Sequence, residues 1–256
     1  MSTTHESASR VWLAVASLLF LVQISACASS TPPRRLTDYI GPQTEVSNAP
    51  LPPRPIHAGL VVIPDMSRTS TAVLPDEALN RLSGMLQQEL SEMTLVVIDT
   101  IIPSEGIRPD GDFAQLRELG TRYGVDYLVV VIASAVEQEY PKTVFLGWVT
   151  HAQPGWRRDN WSLLETALLD VHTGHTFVRA EGVGFATLDR PAAPGINQWY
   201  PVIQLRPLDR RYYPPTYEGA PNTLRVIAMQ EAAKRLVLKF QDAWIEKRQQ
   251  ELDTAG

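Results

Sequence analysis

Strand-like and helix-like segments alternate along the first half of the chain, and this alternation constrains the fold more than any other feature. The apolar run AGLVVIPD at 58–65 is typical of a buried strand, and LVVIDT at 95–100 reads as a second strand. Between them, apolar residues recur three and four positions apart, which predicts a helix from Pro75 to Met93. A second helix is predicted from Asp112, as its N-cap, to Tyr123, with Gly124 as a left-handed stop.

The second half of the chain predicts antiparallel strands and one long helix. The most hydrophobic run, YLVVVIASA from Tyr127 to Ala135, is expected at the centre of the sheet. Three further strand-like runs occupy 143–149, 163–171 and 175–186, and Asp170 to His175 has the composition of a hairpin turn. An apolar stripe predicts a closing helix from Thr223 to about Leu252. We therefore predict an α+β or α/β fold: a mixed sheet of about six strands, two helices in the N-terminal half and a long C-terminal helix.

Two proline-rich stretches interrupt this pattern. Residues 27–56 contain seven prolines and little apolar periodicity, which predicts an extended tether before a single globular domain at 57–256. At roughly 3.1 Å per residue the tether would span up to ~90 Å. Residues 191–221 combine seven prolines with five aromatic residues. A loop this long is uncommon in a compact domain, so it is either a functional surface or an arm packed on the core.

The N-terminal residues carry an export signal and a lipid-acceptor motif. Val11 to Val22 is an apolar run that suits a signal peptide and is short for a membrane-spanning helix, which needs about 20 residues. The next motif, Ile24-Ser25-Ala26-Cys27, resembles the lipobox of bacterial lipoproteins, in which the cysteine thiol accepts diacylglycerol. Residues 1–26 are thus predicted to be a signal peptide and Cys27 an acylated, palmitate-bearing N-terminus; the alternative is an uncleaved signal anchor. By the same resemblance, Ala28 and Ser29 imply an outer-membrane anchor with the domain facing the periplasm. Since Cys27 is the sole cysteine, no intramolecular disulfide is available.

The order of predicted elements is similar to the small α/β domain of envelope proteins such as the N-terminal domain of TolB, the penicillin-binding-protein activator lipoproteins and the curli secretion lipoprotein. A closer resemblance is to the rhombotarget (rhombotail) lipoproteins, carried by the lipobox, residues 102–131 and residues 162–184. This resemblance implies an envelope lipoprotein and brings no catalytic signature. The chain ends in ELDTAG at 251–256 instead of a glycine-rich or hydrophobic processing tail.

No residue pattern nominates an active site or a metal centre. The sequence contains no Gly-x-Ser-x-Gly elbow, phosphate-binding loop or dinucleotide fingerprint. His172 and His175 flank a predicted turn, but a closed metal site needs about four ligands, so we expect solvated turn residues. Asp110-Gly111-Asp112 lacks the later ligands of a calcium loop. A net charge of −5 disfavours nucleic acid as a partner. We predict no enzyme, no cofactor and no metal.

Aromatic and basic residues gather around a turn predicted at Pro154-Gly155. These side-chain types are enriched at protein–protein hot spots. The candidate partner-binding residues are Trp148, Trp156, Arg157, Arg158, Trp161, Tyr212 and Tyr213, with Phe145 nearby. They favour a non-enzymatic accessory lipoprotein that binds another envelope protein. Two alternatives stay open: a homo-oligomeric export component similar to the curli secretion lipoprotein, and an envelope hydrolase. The residues from Arg157 to Asn160 interrupt the alternation that barrel strands require, which argues against a pore.

Overall fold

A computed structural model describes residues 33–41, 45–52, 55–67, 73–109, 112–144, 152–192, 198–206, 209–212 and 220–255. The described residues all belong to one compact unit, which spans residues 33–256. The predicted signal peptide, lipobox and Cys27 therefore lie outside the described residues. Among the helices that the structure describes, none is long and apolar enough to cross a membrane.

The chain forms one mixed sheet with helices on both faces. In chain order the elements are α1 (Thr37–Ile40), β1 (Ile56–Pro64), α2 (Asp76–Met93), β2 (Val96–Ile102), α3 (Ala114–Tyr123), β3 (Tyr127–Val144), β4 (Gln153–Asp170), β5 (Thr176–Pro191), β6 (Tyr200–Arg206), β7 (Asp209–Tyr212) and α4 (Ala220–Ala255). The strand order is β2-β1-β3-β4-β5-β6-β7. β1 pairs in parallel with β2 and β3, and every later pairing is antiparallel. The predicted mixed fold with a long C-terminal helix is confirmed, with seven strands instead of about six.

The β3–β4 hairpin differs from its prediction. β3 continues through Val144 and β4 begins at Gln153, so residues 145–152 connect the two strands. Residues 145–151 lie outside the described residues. The turn predicted at Pro154-Gly155 is wrong, because both residues lie inside β4 and pair with β3. Pro154 is tolerated because it sits at the start of the strand. Gly155 is required by close packing, since a Cβ there would meet the carbonyl oxygen of Arg190 and the side chain of Val144.

The second proline-rich stretch also differs from its prediction. The sequence predicts an irregular loop over 191–221, but this stretch contributes β6 and β7 to the edge of the sheet. β6 pairs with β5 from Thr187 to Asp189. Prolines are compatible with strands at a sheet edge, where a backbone N–H can point to solvent. The stretch therefore acts in part as an arm packed on the core.

Two apolar layers enclose the sheet. On one face, here called the α2/α4 face, Leu86 of α2 and Phe240 of α4 pack with Val131 of β3. On the opposite α1/α3 face, Leu116 of α3 packs with Val130 of β3. All five side chains are fully buried. Alternation along β3 thus assigns neighbouring residues to opposite faces, and the same rule holds along β4 and β5.

The predicted tether is wrong from Pro33 onward, because residues 33–41 pack on the domain. We call this segment the strap. Its Leu36, Tyr39 and Ile40 are at most 4% exposed and belong to the core of the α1/α3 face. Further along, Val46 forms a bridge with Thr176. The three apolar strap residues follow i, i+3, i+4 spacing, a helical signal that the surrounding prolines obscured.

Candidate functional site

The predicted partner-binding residues do not form one surface. Residues an odd number of positions apart on a strand point to opposite faces, which separates Trp156 and Arg158 from Arg157 and Trp161. Trp156 and Arg158 lie on the α2/α4 face, whereas Arg157 and Trp161 lie on the α1/α3 face. Phe145, Trp148 and Tyr213 lie outside the described residues, as does the side chain of Tyr212.

Arg157 is held in a buried ion pair and is therefore a structural residue. Its Nε and a terminal nitrogen donate to the two carboxylate oxygens of Asp189 at 2.6 and 2.7 Å. Arg157 is 9% exposed and Asp189 is 1% exposed. Hydrogen bonding to Asp189 raises the pKa of the Arg157 guanidinium. Beside this pair, Asp159 accepts hydrogen bonds from the hydroxyls of Tyr140 and Thr187 at 2.7 and 2.6 Å.

Arg158 joins three elements on the other face of the sheet. It donates to Glu139 on β3 and lies 3.7 Å from the Glu137 carboxylate. Arg225 of α4 reaches the same Glu137 at 3.1 Å. The guanidinium of Arg158 also lies 5.1 Å from the ring centroid of Trp199. Its contacts therefore fasten the start of α4 and the approach to β6 onto the hairpin, which again is a structural role.

Trp161 lies in an apolar row that crosses three strands. Val136 of β3, Trp161 of β4 and Phe185 of β5 are direct cross-strand partners on the α1/α3 face. We call these three residues the aromatic row. They are 40%, 40% and 44% exposed, and the Trp161 and Phe185 rings lie 5.4 Å apart at 42°. Val183, on the same face of β5, is 45% exposed. Large apolar side chains are thus held half-exposed on a rigid, hydrogen-bonded sheet.

Ion-pair clusters flank the aromatic row on both sides along the strands. On the side toward the β3–β4 connection lie Asp159 and the Arg157–Asp189 pair. On the other side the strap residue Arg35 donates to Glu165 at 2.7 and 3.0 Å and lies 3.5 Å from Glu181. An apolar centre between charged flanks is the usual organisation of a protein–protein interface.

The remaining sequence candidates have ordinary surface or capping roles. His172 pairs with Asp126 at 2.9 Å, and both side chains are largely exposed. Asp112 accepts a hydrogen bond from the Ala114 N–H at 2.8 Å, but the N-cap of α3 is Phe113, one residue later than predicted. Within the described ranges, no group of three or more His, Cys, Asp or Glu residues could hold a metal ion.

Val136 and Phe185 are the site residues that sequence reasoning missed. Phe185 lies in the run predicted as a strand at 175–186, Val136 directly follows the strand predicted at 127–135, and pairing either of them with Trp161 requires the register of the sheet. That register depends on where the β3–β4 connection lies. Because the sequence placed a turn at Pro154-Gly155, it predicted the wrong pairing of residues between β3 and β4. The signal was present in the alternation but could not be used without the correct turn.

Comparisons with known proteins find similar solved structures but no sequence family. No family model matches the chain, and no curated protein matches it in sequence. Among solved structures it is similar to a PelC dodecamer from Paraburkholderia phytofirmans, with 12% identity over 77% of this chain and 95% of that chain at a TM-score of 0.30. It is also similar to a hypothetical protein from Chlamydia trachomatis, with 12% identity over 75% and 98% of the two chains at a TM-score of 0.34.

A lipoprotein from Neisseria meningitidis also matches, with 16% identity over 54% of this chain and 85% of that chain at a TM-score of 0.23. Lipoproteins are thus among the solved structures that this chain resembles. The rhombotarget resemblance has no counterpart among these neighbours. At such TM-scores the function has to be argued from the residues of the chain itself.

Proposed function

We propose that this protein is a lipid-anchored, non-enzymatic accessory protein of the cell envelope that binds another envelope protein through its aromatic row. The observation that carries the proposal is the half-exposed Val136–Trp161–Phe185 row in the centre of a paired sheet. Exposed apolar side chains that adjoin one another mark interaction surfaces more often than scattered ones do.

The geometry of the row suits a binding hot spot. Trp161 and Phe185 are already in contact, and Trp161 is paired with Val136 on one side and Phe185 on the other, so association orders little backbone. Truncation of a central tryptophan at an interface commonly costs about 2 kcal/mol or more, which is roughly a thirtyfold loss of affinity. The exposed Arg35 and Glu181 side chains supply a polar rim on one side of the row, which favours one orientation of the partner.

The anchor proposed at Cys27 gives the interface a defined location. Cys27 precedes the docked strap at Pro33 by six residues. An extended chain covers at most roughly 3.5 Å per residue, so an acylated Cys27 would hold the strap within about 20 Å of the bilayer surface. We place the anchor in the outer membrane and the domain in the periplasm, where a partner near the membrane would meet the aromatic row.

Photo-crosslinking in intact cells tests the proposed surface. We expect a crosslinkable residue at position 161 or 185 to capture one defined protein. The matched control is position 156, because Trp156 is 39% exposed, like Trp161, but lies on the opposite face. Trp161→Ala should reduce capture from position 185 by roughly tenfold or more, whereas Trp156→Ala should leave it unchanged.

Two outcomes would contradict this proposal. One is that positions 161 and 185 yield only lipid adducts or adducts between copies of this chain. The other is that position 156 captures the same protein with equal yield, since the two sites lie on opposite faces of one sheet.

The second candidate function is a homo-oligomeric export component, which the length of the β3–β4 hairpin favours. Both strands have 18 residues, about 60 Å at roughly 3.3 Å per residue, and pairing continues without a gap through Arg157 to Asn160. The break in alternation that the sequence shows from Arg157 to Asn160 therefore does not interrupt the strand and does not argue against this function. A homo-oligomeric export component should form a ring of defined mass when it is sedimented in mild detergent. A monomer at every protein concentration would exclude this function.

A further inference from the structure

A cavity opens where the parallel strands end. α2 follows β1 and packs on one face of the sheet, whereas α3 follows β2 and packs on the other. In the strand order β2-β1-β3 the carboxyl ends of the three parallel strands lie at one edge, and open α/β sheets usually bind ligands outside that edge. A cavity of about 410 Å³ lies at this edge, beside Asp65 after β1 and Ser104 after β2. Ligand pockets of roughly 300–1,000 Å³ hold small organic molecules.

The strap supplies one wall of this cavity, and Asp65 fixes the strap in place. Asp65 is fully buried and accepts a hydrogen bond from the backbone N–H of Arg34 at 2.8 Å. It also accepts from the N–H and hydroxyl of Ser67 at 2.8 and 3.0 Å. Three donors thus occupy the Asp65 carboxylate, which makes it a scaffold that holds Arg34 and Tyr39 at the cavity wall.

Two hydrogen-bond donors at the cavity lack an acceptor. Tyr39 is 4% exposed and lines the cavity, yet its hydroxyl has no hydrogen-bond partner among the described residues. Burial, assisted by the Asp65 charge, raises the pKa of Tyr39 to about 12, so the phenol is a proton donor at neutral pH. Within the same described ranges, the Arg34 guanidinium has no ion pair or hydrogen bond. Both groups face the cavity, so a ligand or solvent oxygen there can accept a hydrogen bond from each of them.

We propose that this cavity binds a small amphipathic organic anion, whose carboxylate or phosphate oxygens accept hydrogen bonds from Tyr39 and Arg34. Its apolar body lies against Ile63 and Ile107, which contribute to the same wall. The positive charge of Arg34 offsets the negative charge of the Asp65 carboxylate. An anion therefore does not enter a pocket with a net negative charge. Because the strap carries both donors, the ligand binds only when the strap is docked, and it stabilises the docked strap in return.

Calorimetric titration of the complete chain in mild detergent tests the site, with phenyl phosphate and benzoate as probes and neutral benzyl alcohol as the control ligand. We expect saturable binding of at least one anionic probe and none of benzyl alcohol. Arg34→Gln and Tyr39→Phe should each weaken binding about tenfold or more, because each removes one hydrogen bond to a charged group. The exposed control positions Arg81→Gln and Tyr123→Phe should bind as the unchanged protein does.

A second readout separates this site from binding elsewhere on the molecule. The bound probe should slow amide hydrogen exchange at Tyr39 and Ile40, and Arg34→Gln should abolish that protection. The proposal is overturned if neither anion saturates, if benzyl alcohol binds equally well, or if Arg34→Gln binds unchanged. None of these outcomes affects crosslinking through the aromatic row, so the two proposals fail independently.

Discussion

Gly184→Ala is expected to destabilise the protein by ~3 kcal/mol, at the upper end of the cost of overpacking a core. Gly184 lies on β5 where α4 crosses the sheet, and a Cβ there would overlap the carbonyl oxygen of Ala228 and lie 2.6 Å from the N of Ala232. Both atoms belong to the backbone of α4, so the helix has to move as a unit. Its displacement would also loosen the fully buried Leu224 and Leu236.

Gly84→Ala is the matched control, measured by guanidinium unfolding alongside Gly184→Ala. Gly84 lies in α2, and a Cβ there would meet no atom within 4 Å. Alanine is favoured over glycine in a helix by about 1 kcal/mol, so this variant should be slightly more stable than the unchanged protein. Equal stability of the two variants would mean that α4 does not pack closely against β5.

The helices and the parallel strands could be predicted from sequence because their signals are local. α2 and α3 begin and end within two residues of their predicted bounds. Gly124 adopts the left-handed conformation expected of a helix stop, with φ of 66°. Apolar spacing, capping residues and a terminal glycine are read within a few residues, and no distant contact overrides them here.

Features that depend on distant contacts could not be predicted. Prolines at 201 and 207 conceal β6, which is specified by pairing with Thr187 to Asp189 rather than by its own composition. The strap is specified by Glu165, 130 positions away from Arg35 in the chain. Likewise, the aromatic row can be recognised only when the pairing register of β3, β4 and β5 is known. Sequence reasoning therefore nominated Trp161 as a candidate partner-binding residue but not its neighbours Val136 and Phe185.

Glu165→Ala is expected to release the strap from the domain. Glu165 is almost completely buried and accepts from Arg35, from the N–H of Leu36 at 3.0 Å and from Arg179 at 3.2 Å. We expect the free energy of unfolding to fall by about 2 kcal/mol. This is less than the roughly 3–5 kcal/mol for breaking a fully buried pair, because the Arg35 side chain is 47% exposed and can be rehydrated. Hydrogen exchange should accelerate at Tyr39 and Ile40 while the amides of α4 remain protected.

Arg81→Ala is the control, because Arg81 and Glu77 form an exposed pair whose loss costs less than ~0.5 kcal/mol. If Glu165→Ala accelerates exchange throughout the sheet, Glu165 stabilises the whole domain instead of the strap alone. If exchange at Tyr39 is unchanged, the apolar contacts of Leu36 and Ile40 suffice to dock the strap.

Under the proposed acylation of Cys27, release of the strap should change how far the domain reaches from the membrane. With the strap docked, an acylated Cys27 is six residues from the domain; with it released, the chain is free as far as the Val46–Thr176 bridge, 19 residues from Cys27, and can extend to ~60 Å. Because the proposed acylation would consume Cys27, His172→Cys at an exposed position would supply the sole thiol for a donor dye. Energy transfer to acceptor lipids in vesicles should then fall in the Glu165→Ala variant. Faster exchange at Tyr39 with undiminished transfer would show that the ion pair fastens the strap without setting the height of the aromatic row above the bilayer.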